Sequence, residues 1–289
     1  MTQKNTIPSR FHHRLRVRWA EVDMQKIVFN AHYLMYLDTA LADYWRTLVL
    51  PYEASMAALG GDLYVKKATL EYHASAQLDD LLDVALSCRH IGKSSITFEG
   101  DIRCEGKSVV TGELVYVFAD PATQKSKPVP ASLREVLMAY EAGEKILDVA
   151  VGDWTALSEG ARAVRYAVFV QEQQIPKELE QDSADATAVH VVLCNRLGQA
   201  VATGRLLQAE PGVGQIGRLA VTRVLRGGGL GLMVLQALIQ AAAARGDHEV
   251  MLHAQASAIA FYVKQGFIPR GTAFVEAGID HLEMVFNLR

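Results

Sequence analysis

Cysteine is scarce in this chain. The three in 289 residues, Cys88, Cys104 and Cys194, are far apart and odd in number. That argues against a disulfide framework and against a clustered zinc site, so no metal is expected, and it suits a reducing, cytoplasmic setting. An excess of either charge is lacking too. The net charge is -3, with no basic stripe for nucleic acid and no like-charge block that would form a tail. Long apolar runs are missing. The nearest, Leu230 to Ala244, is interrupted by Gln236 and Gln240 and falls short of the roughly 18 residues a membrane span needs. The opening "MTQKNTIPSRFHHRLRVRW" has no apolar core of signal-peptide type, so no leader is expected. What the chain does have is 50% hydrophobic and 21% charged residues, enough to bury a core in each of two domains.

Two textures follow one another. Residues 12–22 alternate and predict a strand. "NAHYLMYLDTALADYWRTLVL" then carries Leu34, Leu37, Ala40, Leu41 and Tyr44 at helical spacing, which predicts a long buried helix ended by Pro51. After a loop at Gly60-Gly61 come "LYVKKATLEYH", "LLDVALSCRHI", "SITFEGDIRCE" and "SVVTGELVYVFAD", rich in β-branched and aromatic residues. They predict a meander of consecutive antiparallel strands, followed by a short helix in "ASLREVLMAYEAGEK". From Ile146 onward strands and helices mix, ending in "HEVMLHA", "SAIAFYVKQGF" and "HLEMVFNL". The change predicts two domains, 1–143 and 144–289, in an α+β architecture.

The second domain holds "RVLRGGGLGLMVLQALIQAAAARG". Glycines between a strand and a helix read equally well as a plain turn or as an anion cradle. Amides at a helix start are free, the helix dipole favours negative charge, and glycine lets the backbone approach a phosphate. Arg226, Gly229 and Gly231 form R-x-x-G-x-G, which is neither the dinucleotide fingerprint nor the P-loop. Further on stand Gln255, Ala258, Phe261, Tyr262, Gly266 and Phe267. With these two motifs the stretch from residue 146 to 289 resembles the GNAT superfamily of N-acetyltransferases, with Gln255 where Asn is commoner.

That resemblance implies a mixed central sheet flanked by helices, and acetyl-CoA as co-substrate. Leu219, Ala220 and Val221 would line the pantetheine arm. Arg226 and the main chain of Gly227, Gly228, Gly229, Leu230, Gly231 and Leu232 would hold the pyrophosphate, with Gly229 and Gly231 as the motif positions and Gly227 and Gly228 as the more replaceable pair. Tyr262 would protonate the leaving thiolate. The acidic stretch from Val168 to His190 reads as a solvated loop, with a cation-attracting pocket as the other reading. Glu172, Glu180 and His190 are open candidates for the general base, and His253 reads as a hydrogen-bonded core histidine, with a place near the cofactor as the other reading.

In the first domain "RWAEVDMQKIVFNAHYLMYLDTALADYW" places Asp23 before a short apolar loop and a helix starting near Asn30. On spacing alone Asp23 reads as a cap or turn residue. Asp23, Val28, Asn30 and Tyr33, with "ELVYVFAD" and "KPVP" later, resemble acyl-CoA thioesterases of the 4-hydroxybenzoyl-CoA type over residues 11–140. The resemblance implies a hotdog fold, a long central helix wrapped by an antiparallel sheet. It implies Asp23 as nucleophile or general base and amides of Val28, Phe29, Asn30 and Ala31 as donors to the thioester oxygen. Lys26 departs from the small residue usual there. Asp38 is a lesser candidate, facing a site in a partner subunit, and a homo-oligomer is implied. The expected protein joins two CoA-thioester enzymes, a hydrolase and an acetyltransferase acting on an amine, with no nucleic-acid or membrane partner. The alternative keeps one half catalytic and makes the other a CoA-thioester-binding or oligomerisation module.

Overall fold

The structure, a computed structural model, describes residues 9–288. The chain divides into two compact units, Met1–Ile146 and Leu147–Arg289.

In the first unit β1 (Phe11–Arg16) leads through a loop to α1 (Asn30–Thr47) and α2 (Tyr52–Leu59). Then come β2 (Asp62–Tyr72), β3 (Leu81–Ile91), β4 (Ser95–Cys104), β5 (Lys107–Ala119) and α3 (Ala131–Glu141). The buried face of α1 is Tyr33, Tyr36, Leu37, Ala40, Leu41, Tyr44 and Trp45, spaced by threes and fours as one helical stripe demands. Leu37, fully buried, seats over Gly100 and Gly112, which face each other across β4 and β5. A Cβ at Gly100 would stand 2.5 Å from one Leu37 methyl, and one at Gly112 would stand 2.8 Å from the other. The two bare positions let the helix approach the sheet closely. Burying that leucine contributes about 1.5–3 kcal/mol. A long helix against an antiparallel sheet is the hotdog arrangement.

Three expectations need correction here. The first strand ends at Arg16 rather than continuing to residue 22, because Trp19–Glu21 turns and sends the Glu21 side chain inward. The long helix stops at Thr47. Pro51, expected as its end, instead precedes α2, where a fixed φ and a missing N–H are tolerated. The sheet order is β1-β3-β4-β5-β2, so the meander is β3-β4-β5 alone. β2 crosses over to pair with β5 at the far edge.

The second unit runs β6 (Leu147–Gly152), α4 (Trp154–Arg165), a π-helical turn (Tyr166–Glu172), α5 (Lys177–Glu180), β7 (Val189–Asn195), β8 (Ala200–Glu210) and β9 (Val213–Val221). It continues with α6 (Leu230–Arg245), β10 (Glu249–Gln255), α7 (Ile259–Lys264), β11 (Ile268–Glu276) and β12 (Ile279–Asn287). The seven-stranded sheet has the order β11-β12-β10-β9-β8-β7-β6. Among the described residues only β9 and β10 pair in parallel. Asp153 caps α4 by accepting the Ala156 amide at 2.9 Å. This mixed sheet with its helices is the GNAT arrangement. β11, which the sequence reading omitted, pairs with β12 as a closing hairpin.

Candidate active sites

In the second unit the site begins with a fault in the sheet. β9 and β10 pair from Val213 and Glu249 to Ile216 and Leu252, then stop. Two residues of β9, Arg218 and Leu219, lie against one of β8, and Arg218 has φ +51. Such a bulge bends the strand and re-aims it. Beyond it β9 stays with β8, while His253 to Gln255 stay with β12, so the two strands diverge. A cavity of about 970 Å³ fills the gap.

Leu219, Ala220, Val221, Arg226, Gln255 and Tyr262 line this cavity, as do Gly227 and the stretch from Gly229 to Leu232; Gly228 does not. Gly227 and Gly229 have φ of +86 and +85, where a side chain is strained, while Gly228 and Gly231 do not. This corrects the ranking read from the sequence: Gly227 is required by the backbone and Gly231 is not. Among the described residues no amide from Gly227 to Leu232 donates to a protein acceptor; the first that does is Met233, to Gly229 O at 3.1 Å. These donors and the N-terminus of α6 form a nest for an anion.

The Arg226 side chain is engaged. Nη1 and Nη2 donate to the two oxygens of Glu172, both at 2.7 Å, and Nε donates to Val221 O. The guanidinium lowers the Glu172 pKa. Gln173 and Gln255 exchange side-chain amide bonds at 3.1 and 3.4 Å. Tyr262 is buried except at the cavity, and its hydroxyl has no protein partner among the described residues. Burial pushes its pKa up to about 12, so it is a protonated phenol at neutral pH.

The acidic stretch is solvated only in part, as Glu172, Glu178 and Asp182 are exposed. Glu180 and Asp185 are buried against Arg165, which is 1% exposed. Arg205 bonds Asp182 at 2.6 Å and Asp185 at 2.7 Å, and Arg218 reaches Asp182 at 3.1 Å. Burial raises the Asp185 pKa, but the two guanidiniums outweigh it and hold it low. His190 is buried, donates Nε2–H to Asp185 O at 2.9 Å and does not line the cavity; burial lowers its pKa. His253 is not in the core. It lines the cavity, with Nδ1 on Glu276 at 3.0 Å. Sequence reasoning missed Gln173, Arg218, Glu276 and His281 in this wall. The bulge that turns Arg218 inward leaves no local signal.

In the first unit Asp23 sits in a tight loop closed by the Val22–Val28 bridge. Its amide donates to Ile27 O and its carbonyl accepts from Lys26 N, both at 2.9 Å, and Oδ1 accepts the Gln25 amide at 2.7 Å. Lys26 is exposed with φ +62, the backbone that explains why a small residue is usual there. Of the expected donors, Val28 N is taken by Ala76 O and Phe29 N by Glu21 O, both at 2.9 Å. The Asn30 and Ala31 amides, in the first turn of α1, make no hydrogen bond among the described residues. Tyr33 is buried, its hydroxyl accepting the Ala76 amide at 2.9 Å. Asp38 is exposed and accepts from Tyr116 at 3.0 Å. The sequence reading passed over Glu21, which is 2% exposed. Its carboxylate takes the Arg18 amide and the Tyr36 hydroxyl, each at 2.7 Å, while its carbonyl fixes Phe29. Burial pushes its pKa up, but these bonds and Arg18 prevail and lower it.

Among the described residues no helix is long and apolar enough to cross a membrane, and no group of three or more His, Cys, Asp or Glu side chains is placed to hold a metal.

A diverging strand pair with an amide nest at the next helix gives the second unit a GNAT-type mixed-sheet fold. Residues 154–288 match the family model described as an acetyltransferase (GNAT) domain, and residues 17–137 match the thioesterase-like superfamily. The chain belongs to the GNAT acetyltransferases through its second half, joined to a thioesterase-like hotdog domain. The uncharacterized N-acetyltransferase YjcF of Bacillus subtilis is 36% identical over 123 residues, covering 42% of this chain and 86% of that one. The acyl-CoA thioester hydrolase YbgC of Escherichia coli is 27% identical over 120 residues, covering 41% and 89%. A crystal structure of a Thermus thermophilus thioesterase complexed with coenzyme A and Zn is 24% identical with a TM-score of 0.42, covering 47% of this chain and 98% of that one.

Proposed function

We propose that the second half transfers an acetyl group from acetyl-CoA to an amine and that the first half hydrolyses an acyl-CoA. The observation that carries the transferase reading is one cavity lined both by Gly227 and Gly229 to Leu232, whose amides have no protein acceptor among the described residues, and by Tyr262, whose hydroxyl has no protein partner among them. The amides bind the pyrophosphate of CoA, with Arg226 at the rim. Leu219, Ala220 and Val221 guide the pantetheine arm along β9, and Gln255 bounds it on the β10 side. The amine nitrogen attacks the acetyl carbon, the C–S bond breaks, and Tyr262 protonates the departing thiolate.

In the hydrolase, the Asn30 and Ala31 amides polarise the thioester carbonyl at the start of α1, and Asp23 attacks or activates water through its open oxygen. Glu21 holds the loop in place. The edge strand β2, whose Val65 and Tyr72 are exposed, supports assembly into a homo-oligomer, which sedimentation velocity tests. Lys26 favours a second reading for this half, thioester binding without turnover, because it stands where a small residue is usual. Thiol release from a panel of acyl-CoAs, with and without amines, tests both activities. Asp23→Asn abolishes amine-independent release and leaves the amine-dependent rate. Tyr262→Phe lowers only the amine-dependent rate, by about 10²-fold. Hydrolysis unchanged by Asp23→Asn overturns the role of Asp23, and release that no amine raises overturns the transferase.

A further inference from the structure

The transferase needs a base, because an amine is an ammonium ion at neutral pH and cannot attack a carbonyl. The acidic residues around the cavity are committed elsewhere: Glu172 to Arg226, Glu180 to Arg165, Asp182 to Arg205 and Arg218. We infer, resting on the acetyltransferase reading above, that His253 is the general base that deprotonates the amine and that Glu276 is its positioning residue.

The geometry is that of an oriented imidazole. His253 stands on β10 just past Leu252, where the pairing with β9 ends, and its ring lines the cavity that Tyr262 lines. A carboxylate can only accept, so the 3.0 Å contact to Glu276 puts the proton on Nδ1. Nε2 keeps its lone pair and makes no hydrogen bond among the described residues. Phe274 packs edge-on against the ring at 4.9 Å between centroids and holds its plane. The side chain is 31% exposed, so a proton taken up can leave to water.

The charged neighbours are accounted for. Glu283 lies opposite His253 on β12 but is paired with Arg270, which also bonds Glu249 at 2.9 Å. Arg218 lines the cavity from β9 and is paired with Asp182. His281 lines the cavity too, but its Nδ1 is held by the Ile279 carbonyl at 2.8 Å instead of a carboxylate. A carboxylate partner fixes the tautomer and the orientation of the ring.

The protons balance. Nε2 takes one from the ammonium, the neutral nitrogen forms the C–N bond, and a second proton leaves nitrogen as the C–S bond breaks. Tyr262 gives its proton to the thiolate and regains one of the two shed by nitrogen; the other passes through His253 to solvent.

The test is amine-dependent CoA release from acetyl-CoA, from neutral to alkaline pH, for wild type, His253→Gln and Glu276→Gln, with acetyl-CoA Kd measured alongside. His253→Gln should leave that Kd unchanged and lower kcat/KM for the amine about 10²-fold at neutral pH. The deficit should vanish above the amine's own pKa, where no base is needed. Glu276→Gln should give a smaller loss and a shifted pH profile. A His253→Gln enzyme with wild-type kcat/KM and pH profile overturns the inference while the transferase stands, as does a deficit equal at all pH. Wild type that shows no release with any amine overturns the transferase reading itself, and the inference with it.

Discussion

Glu172 and Arg226 meet oxygen to nitrogen in parallel, with two bonds of 2.7 Å closing the pair. The motif arginine is thereby neutralised at the mouth of the cavity, which leaves anion binding to the backbone. Arg226→Ala is therefore expected to weaken acetyl-CoA binding by less than about tenfold, the scale of an exposed ion pair. Glu172→Ala releases the guanidinium toward the pyrophosphate and should tighten binding. Calorimetry on both variants checks this; a weaker Glu172→Ala complex overturns it.

The glycine loop separates by conformation. Gly227→Ala and Gly229→Ala force a Cβ into left-handed backbone, at about 1–2 kcal/mol each. Gly231→Ala meets Val221 at 3.6 Å and Leu219 at 3.8 Å, ordinary contact, and gains about 1 kcal/mol of helix propensity. Denaturant unfolding should rank Gly231→Ala above wild type and the other two below it. Acetyl-CoA should nonetheless bind Gly231→Ala more weakly, because the methyl narrows the cavity.

In the hotdog half, Gly100→Ala and Gly112→Ala drive a methyl into Leu37, which is fully buried. Each should cost about 1–3 kcal/mol by overpacking. Adding Leu37→Ala to either should cost less than the sum of the single changes, because the collision disappears. Additive losses in urea melts would show that the helix does not rest on these glycines.

Asp185 ties stability to acid. Its folded-state pKa is depressed, so its contribution is present above the unfolded value of about 3.9 and is lost as pH falls below it. Asp185→Asn leaves two buried guanidiniums short of a partner and should cost about 3–5 kcal/mol at neutral pH. The gap to wild type should close as pH drops below about 4. A gap independent of pH in acid melts would show that the charge of Asp185 contributes nothing.

What was legible in the sequence is what local rules encode. The threes and fours of α1 survive because one face meets one sheet, and the strands of the β3-β4-β5 meander survive because short turns join them. The place of β2 was not legible, since its partner β5 is chosen by main-chain bonds that carry no residue signature. Pro269 and Gly271 hid β11, and Pro51 read as a stop when it opens a helix. At the site the motif glycines could be read, but which of them needs positive φ could not. Nor could the pairing of Arg226 with Glu172, or of His253 with Glu276, because both partners come from distant segments brought together only by folding.

The sheet of the second unit has a ladder with missing rungs. Past Ile216 and Leu252 the facing edges of β9 and β10 have no strand between them. The sheet carries an open seam, and an extended ligand arm lying in it would take the place of the absent strand. The bulge at Arg218 is thus less a defect of the sheet than the hinge that opens it, keeping β9 with β8 and turning it from β10.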